Sequence, residues 1–502
     1  MSCISLFVTY FPKMVIQLSS QINNTKKEDG FANILGHIGR WQILVCTTVS
    51  LVKLSSGWVQ MAILFLTPKL NFWCIEFSNT SRITDNSTCY EDCLKYEYDP
   101  SPFENTIVSE WDLICSRSWL SSFTQTVLQS GILIGSILFG FLSDRYGRKN
   151  TFLFSITALI AFGFGIPFAP DYITFTVLRF FLGVATAGTM VVSFVLIMET
   201  AGPNFREILG CFFQIPFIIG HMSVPLFAYF FRSWDTYCLA LAIPPVVYFG
   251  YFFLLTESPR WLVSVGRVKE ATVIVKRACE MNNLPTNKVE ESLIKLAESV
   301  QSSSSGPKLN YSALFRKSLW LKTICCCVMW TISGLTFFGF NQYISQTSPD
   351  PFVSVAAAGA IQIPSNILSI WLIKYLGRKI TIVLFFILGG VCVVVLGVVP
   401  DVYWITLTLG TLGVSCAAIV ATTLYIYTSE LFPTVVRNMA MGSSSMSMRL
   451  GSMIAPFVSN LSLTVSWLPT LIFGFAPIAA GIVCLLLPET KGTTLTDSLE
   501  ED

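Results

Sequence analysis

The chain has 502 residues, 53% of them hydrophobic and only 12% charged, with a mean hydropathy of +0.63; a soluble domain averages roughly 25% charged residues, so a soluble fold could not wet this much apolar surface. The formal charge of +2 supplies no field that would gather nucleic acid. His37 and His221 are the two histidines and neither has a second ligand-type residue three or four positions away; no GxSxG elbow, Walker loop or GxGxxG after a strand occurs, so no metal site, cofactor or enzymatic chemistry is expected.

Within Met1 to Ser20 the run ISLFVTYF is apolar, yet no basic stretch precedes it and no small-residue cleavage site follows, so residues 1–40 read as a cytosolic N-terminal segment rather than a signal peptide. A spanning helix needs about 20 mainly apolar residues. Twelve such stretches follow, at 41–68, 119–142, 150–169, 172–198, 208–231, 236–256, 319–342, 352–373, 379–399, 402–427, 439–460 and 467–487. The expected fold class is an all-α membrane protein with twelve transmembrane helices.

Two long interruptions orient the chain. Residues 69–118 hold Cys74, Cys89, Cys93 and Cys115 with glycosylation sequons at Asn79 and Asn86, which describes an extracellular loop in an oxidising compartment. Four cysteines allow three pairings; the other eleven read as ordinary thiols. Residues 257–318 carry ten Lys or Arg against six Glu, with apolar positions at helical spacing and a QSSSSG stretch near the end. This reads as a cytosolic linker of amphipathic helices lying at the membrane face. The connections DRYGRK, NFR, KYLGRK and VVRN are basic and share that side, whereas APDY and VVPDVY lack Lys and Arg. Both termini, including the tail 488–502, are then cytosolic.

An internal repeat sets the architecture. Gly147-Arg148-Lys149 recurs as Gly377-Arg378-Lys379, Glu199 with Arg206 recurs as Glu430 with Arg437, and Glu257-Ser258 recurs as Glu489-Thr490, at offsets of 230 to 232 residues. The expectation is two similar six-helix halves, 41–256 and 319–487, related by an axis along the membrane normal, with a substrate site near mid-bilayer between them and alternating access as the mechanism.

At GFLSDRYGRK (140–149) the sequence resembles the major facilitator superfamily. The resemblance implies that Asp144, Arg145 and Arg148 belong to ion pairs that hold the halves together on the cytosolic side when the transporter is open outward. In the second copy Lys374 stands where Asp144 stands in the first. Arg179, in RFFLG, lies within a spanning stretch where a bare charge costs at least ~2.5 kcal/mol; it resembles the R-x3-G element of that superfamily, with a structural or ion-coupling role. TIVSEWDLICSRSWL, ESPRWLVSVGR (with Glu257 and Arg260) and YIYTSELFPTVVRNMAMG are together similar to the organic cation, anion and zwitterion transporters of solute carrier family 22. That resemblance runs from near residue 36 to near 492 and implies transport of small charged organic molecules at the plasma membrane.

Arg449 lies inside the eleventh stretch with no acid nearby in sequence, so it needs a partner or a substrate carboxylate. It resembles the family position where anion and carnitine-type transporters carry Arg and cation transporters carry Asp. Gln362 and Asn366 stand where relatives carry Glu or Lys, leaving the eighth stretch neutral and favouring a monoanion or zwitterion. Phe337, Phe338, Tyr229, Tyr425 and Trp330 match cavity-lining positions and would supply flat apolar or cation-π faces. Glu199, Arg206, Glu430 and Arg437 read as gate residues, each pairing across helices with Asp144, Arg148 or Arg378. The partners expected are a small organic ion (carnitine-like zwitterion, organic anion or organic cation), the lipid bilayer, and an exchanged anion or coupling ion. The other readings are a sugar or nutrient porter of the same fold and a non-transporting receptor or scaffold.

Overall fold

The computed structural model describes residues 30–36, 39–78, 85–202, 205–303, 311–316, 319–399, 402–463, 465 and 467–491. His37, Asn79, the segment before residue 30 and the tail beyond 491 lie outside the described residues.

Among the described residues ten helices are long and apolar enough to cross a bilayer: α1 (Arg40–Leu66), α2 (Cys115–Tyr146), α3 (Arg148–Phe168), α4 (Tyr172–Thr200), α6 (Trp234–Leu254), α7 (Trp320–Thr347), α8 (Pro351–Tyr375), α9 (Arg378–Leu396), α10 (Tyr403–Leu431) and α12 (Leu468–Leu485). Two more complete the twelve. α5 (Ile215–Phe230) is apolar but has 16 residues, after a separate turn of helix at Arg206–Phe212. α11 (Thr434–Asn460) is long but polar, with six serines, Arg437 and Arg449. A helix this polar must turn its serines and arginines toward protein or water rather than lipid.

The ends of the helices follow from local chemistry. Asp171 and Asp350 cap α4 and α8, each accepting from two backbone amides of the first turn. In α6 the Pro244-Pro245 pair removes two amide donors, and the helix narrows to a 3-10 turn over Pro244–Gly250 before resuming.

The packing repeats with the sequence. α2 packs on α4 as α8 does on α10, α1 on α5 as α7 on α11, and α3 on α4 as α9 on α10. The contacts that join the halves also come as a pair, α2 with α11 and α8 with α5. Exchanging each helix for the one six places on converts either contact into the other, as a twofold axis between two six-helix halves requires.

One face carries a lobe between α1 and α2. Strands β1 (Phe72–Phe77) and β2 (Cys93–Tyr98) pair antiparallel, an element that the helical reading of the chain did not include. Phe72 packs edge-on against Tyr96 at 5.6 Å. Of the three cysteine pairings open at the outset, the lobe contains Cys74–Cys93 and Cys89–Cys115. The opposite face carries the charged connections and three helices, Pro259–Ser264, Val268–Met281 and Val289–Ser303. Their apolar sides pack on each other and on the short helix Gly30–Leu35, with Phe31, Trp261, Val275 and Leu293 in one cluster.

Candidate functional site

The charged face is built twice on one plan. Gly147 and Gly377 precede α3 and α9 in left-handed backbone, with φ of +96° and +93°, where an L side chain is strained. Each new helix therefore starts abruptly, with free amides at its positive end. Glu257 Oε1 accepts from Arg148 N at 2.9 Å and Lys149 N at 3.1 Å; Glu489 accepts from Arg378 N and Lys379 N, both at 3.0 Å. The third mark of the repeat is thus a carboxylate from the end of each half that caps its third helix.

An ion pair sits beside each cap. Arg148 meets Glu199 at 2.8 Å and Asp144 at 3.0 Å, and donates to Ser143 O at 2.7 Å. Arg378 meets Glu430 at 2.6 Å. Lys374, in the place of Asp144, lies over Tyr375 at 5.8 Å, so Arg378 has one carboxylate where Arg148 has two. Arg206 donates to Met198 O at 3.1 Å, Arg260 donates to Glu199 O at 2.6 Å and lies over Phe31 at 4.8 Å, and Arg145 lies over Tyr146 at 5.6 Å. Arg437 Nε and one terminal nitrogen are buried with no hydrogen bond among the described residues. Each of the arginine–carboxylate pairs at Arg148 and Arg378 stays within its own half.

The halves meet on the lobe face instead. Ser122 Oγ donates to Pro456 O at 2.9 Å and Thr126 Oγ1 to Met453 O at 2.7 Å, tying α2 to α11. Phe352 of α8 stacks on Phe65 of α1 at 5.4 Å and meets Tyr229 of α5 edge-on at 5.7 Å. Tyr229, matched in sequence to a cavity wall, is placed in this lobe-side cluster, with Arg232 over its ring at 5.4 Å. The conformation is one in which the lobe-side ends are joined.

Between the halves, Arg449 of α11 is half-buried and one terminal nitrogen donates to Gln60 Oε1 of α1 at 3.3 Å. Tyr425 of α10 lies within electrostatic reach of Arg449, and Trp330 of α7 packs on Tyr425 at 4.5 Å while donating to Thr428 at 2.9 Å. Gln362 of α8 bonds His221 Nδ1 of α5 at 2.9 Å, a further polar contact across the halves. Asn366 accepts from Thr422 at 2.5 Å. Phe337 and Phe338 pack edge to face at 5.4 Å in α7, both nearly buried. Trp330, Tyr425 and Arg449 are therefore brought together, while Gln362 and Asn366 form a separate polar cluster.

Sequence reasoning missed Lys53. It lies in α1, two helical turns before Gln60 and so on the same face, buried, donating to Gln214 Oε1 at 2.6 Å and lying over the Phe213 ring at 4.0 Å. Arg449 is near enough to act on Lys53 electrostatically. The signal was available, since a lysine inside a spanning stretch carries the same cost that singled out Arg179 and Arg449. By contrast, the carboxylates of the twelve helices, Asp144, Glu199, Asp235 and Glu430, all stand at helix ends.

Two six-helix halves repeating one another about a polar interface define a transporter of the major facilitator type, not an enzyme. Solved structures of that fold resemble the chain: the inward open xylose transporter XylE from E. coli superposes with a TM-score of 0.62 at 18% identity, covering 90% of this chain and 98% of that one. The family model described as "Sugar (and other) transporter" matches residues 45–500. Mouse organic cation/carnitine transporter 2 is 33% identical over 419 residues, 82% of this chain and 74% of that protein. The Drosophila melanogaster organic cation transporter protein is 32% identical over 433 residues, 85% and 79% of the two chains. Mouse solute carrier family 22 member 4 is 33% identical over 418 residues, 82% and 75%. The chain belongs to the sugar (and other) transporter family and, within it, to solute carrier family 22.

Proposed function

We propose that this protein carries small organic anions or zwitterions bearing a carboxylate across the plasma membrane by alternating access, with Arg449 as the group that receives the carboxylate. The observation that carries the proposal is charge. Arg449 stands between the halves with Gln60 of α1 as its side-chain hydrogen-bond acceptor, and every carboxylate of the twelve helices stands at a helix end. An uncompensated cation in a low-dielectric site repels a cationic substrate and rewards an anion. Trp330 and Tyr425 beside Arg449 offer an apolar wall for the rest of the substrate. The names of the organic cation/carnitine relatives agree with a substrate that carries a carboxylate along with a fixed positive charge.

In this reading the lobe, with its two disulfides and the exposed Asn86, is extracellular and glycosylated. The charged face and both termini are cytosolic. Residues 41–256 and 319–487 are the halves that rock, and 257–318 tethers them. With the lobe-side ends joined, substrate exchanges with the cytosol, and the return to the outward state brings Asp144, Arg148, Arg378 and Glu430 together across the halves. The driving force is the substrate gradient or an exchanged or coupled ion.

Labelled uptake in oocytes, competed with carnitine, an aryl carboxylate and a quaternary ammonium, tests this. Carnitine or the aryl carboxylate should compete in the wild type, and Arg449→Ala should abolish that competition. Uptake of a permanent cation that survives Arg449→Ala unchanged, with no carboxylate competing, contradicts it.

A further inference from the structure

Apart from the interface, the first half holds a partly open cavity of about 60 Å³ among α1, α2, α3, α4 and α6. Its walls are Trp58, Leu128, Phe175, Leu182 and other apolar side chains, and Arg179 reaches it from α4. Arg179 is 3% exposed. Among the described residues its guanidinium makes one side-chain hydrogen bond, from a terminal nitrogen to Gln125 Oε1 at 2.7 Å, and its Nε has no partner. The ring of Phe175 lies 5.6 Å from it. The groups near enough to influence it electrostatically are Tyr172, Tyr237 and Cys238, phenols and a thiol that are neutral at physiological pH. No carboxylate is among them.

A buried guanidinium with no counter-charge is among the least tolerable arrangements in a bilayer interior. Waters alone do not remedy it here. The cavity has room for several, but each would need two to four polar partners that these walls do not supply; Ser55, the hydroxyl on the wall, is already engaged with Tyr248 at 3.0 Å.

We propose that Arg179 holds a small monovalent inorganic anion, of the halide class, in this cavity, distinct from the organic substrate at Arg449. The ion supplies the missing negative charge and accepts from the free guanidinium nitrogen. Because the remaining walls are apolar, the ion's dehydration is poorly compensated, so weakly hydrated halides bind better than strongly hydrated ones, in the order bromide, chloride, fluoride.

The test uses the full-length protein purified in detergent, with thermal unfolding followed as gluconate is replaced by sodium halide at constant ionic strength. The wild type should be stabilised saturably in that order, as a ligand that binds only the folded state requires. Arg179→Gln should abolish the dependence, and Arg179→Lys, which keeps the charge but loses the guanidinium fork, should retain it with an apparent halide affinity about 10-fold weaker. Arg449→Ala should retain the response. Should Arg179→Gln not fold, Arg179→Lys and an anomalous-scattering search for bromide beside Arg179 decide the matter. No halide dependence in the wild type, an unaltered affinity in Arg179→Lys, or a response lost in Arg449→Ala but kept in Arg179→Gln overturns the proposal. Failure here leaves the carboxylate reading at Arg449 standing, since the two sites share no residue.

Discussion

Glutamine at Glu430 should destabilise the protein more than glutamine at Glu199, although the two residues are repeats of each other. Arg378 meets Glu430 at 2.6 Å, with both side chains about one-fifth exposed, at 21% and 22%. Removing one partner of a fully buried pair costs ~3–5 kcal/mol; partial exposure lowers this to about 2–3 kcal/mol, because water reaches the abandoned arginine. Arg148, at 10% exposed, is the more buried arginine, yet it keeps Asp144 at 3.0 Å when Glu199 is neutralised. Asp144 is 74% exposed, so it restores only ~0–1 kcal/mol. The expected difference between the variants is therefore about 1 kcal/mol. At ~2–4 °C per kcal/mol for a unit of 150–250 residues, Glu430→Gln should lower the unfolding midpoint by roughly 5–10 °C and Glu199→Gln by about 2–4 °C less. Thermal unfolding of purified variants at one scan rate reads the difference. Adding Asp144→Asn to Glu199→Gln should erase it. If Glu199→Gln proves equally or more damaging alone, the assignment of Asp144 as a reserve partner is wrong.

The capping carboxylates give a second expectation: Glu257→Gln and Glu489→Gln each remove a charged acceptor from two helix-start amides, at about 1–2 kcal/mol by the same thermal measurement, and an unchanged midpoint in both would refute the caps. Alanine at Gly147 or Gly377 must adopt a left-handed backbone beside that carboxylate and should cost about 1–3 kcal/mol; a neutral effect would show that the turn can relax. Lys53→Met should weaken competition by carboxylates without rescuing cation uptake, whereas unaltered inhibition constants would exclude Lys53 from the site. Asn86→Gln should increase the electrophoretic mobility of protein from mammalian cells by one glycan; no change would leave the lobe's placement outside without that support.

The twelve helices and their duplication were legible because lipid imposes length and apolarity on any span, and because Gly147-Arg148-Lys149 and its copy stand at nearly constant offset. α11 marks the limit of that logic. Its serines and two arginines take it below the apolarity that lipid demands, and only its packing on α7 and α2 shows how they are housed. That Glu199 and Glu430 would seek other helices followed from a seven-residue spacing longer than one turn; that Glu257 and Glu489 cap helices did not, because a cap 108 to 111 residues away has no local sequence signal. The β-hairpin was hidden by the cysteines and sequons, which describe a compartment and carry no periodicity. Lys53 was overlooked, although its position in an apolar stretch was visible; its nearness to Arg449 belongs to the tertiary fold alone.

The account rests on two halves that must separate on the lobe face for transport to proceed, and a reversible cross-link there tests it most directly. Thr126 and Met453 meet across α2 and α11, so the double variant Thr126→Cys/Met453→Cys should form a disulfide on mild oxidation. Uptake should then fall to background, return on reduction, and remain untouched in either single variant. Full uptake by the cross-linked protein would contradict alternating access between these halves.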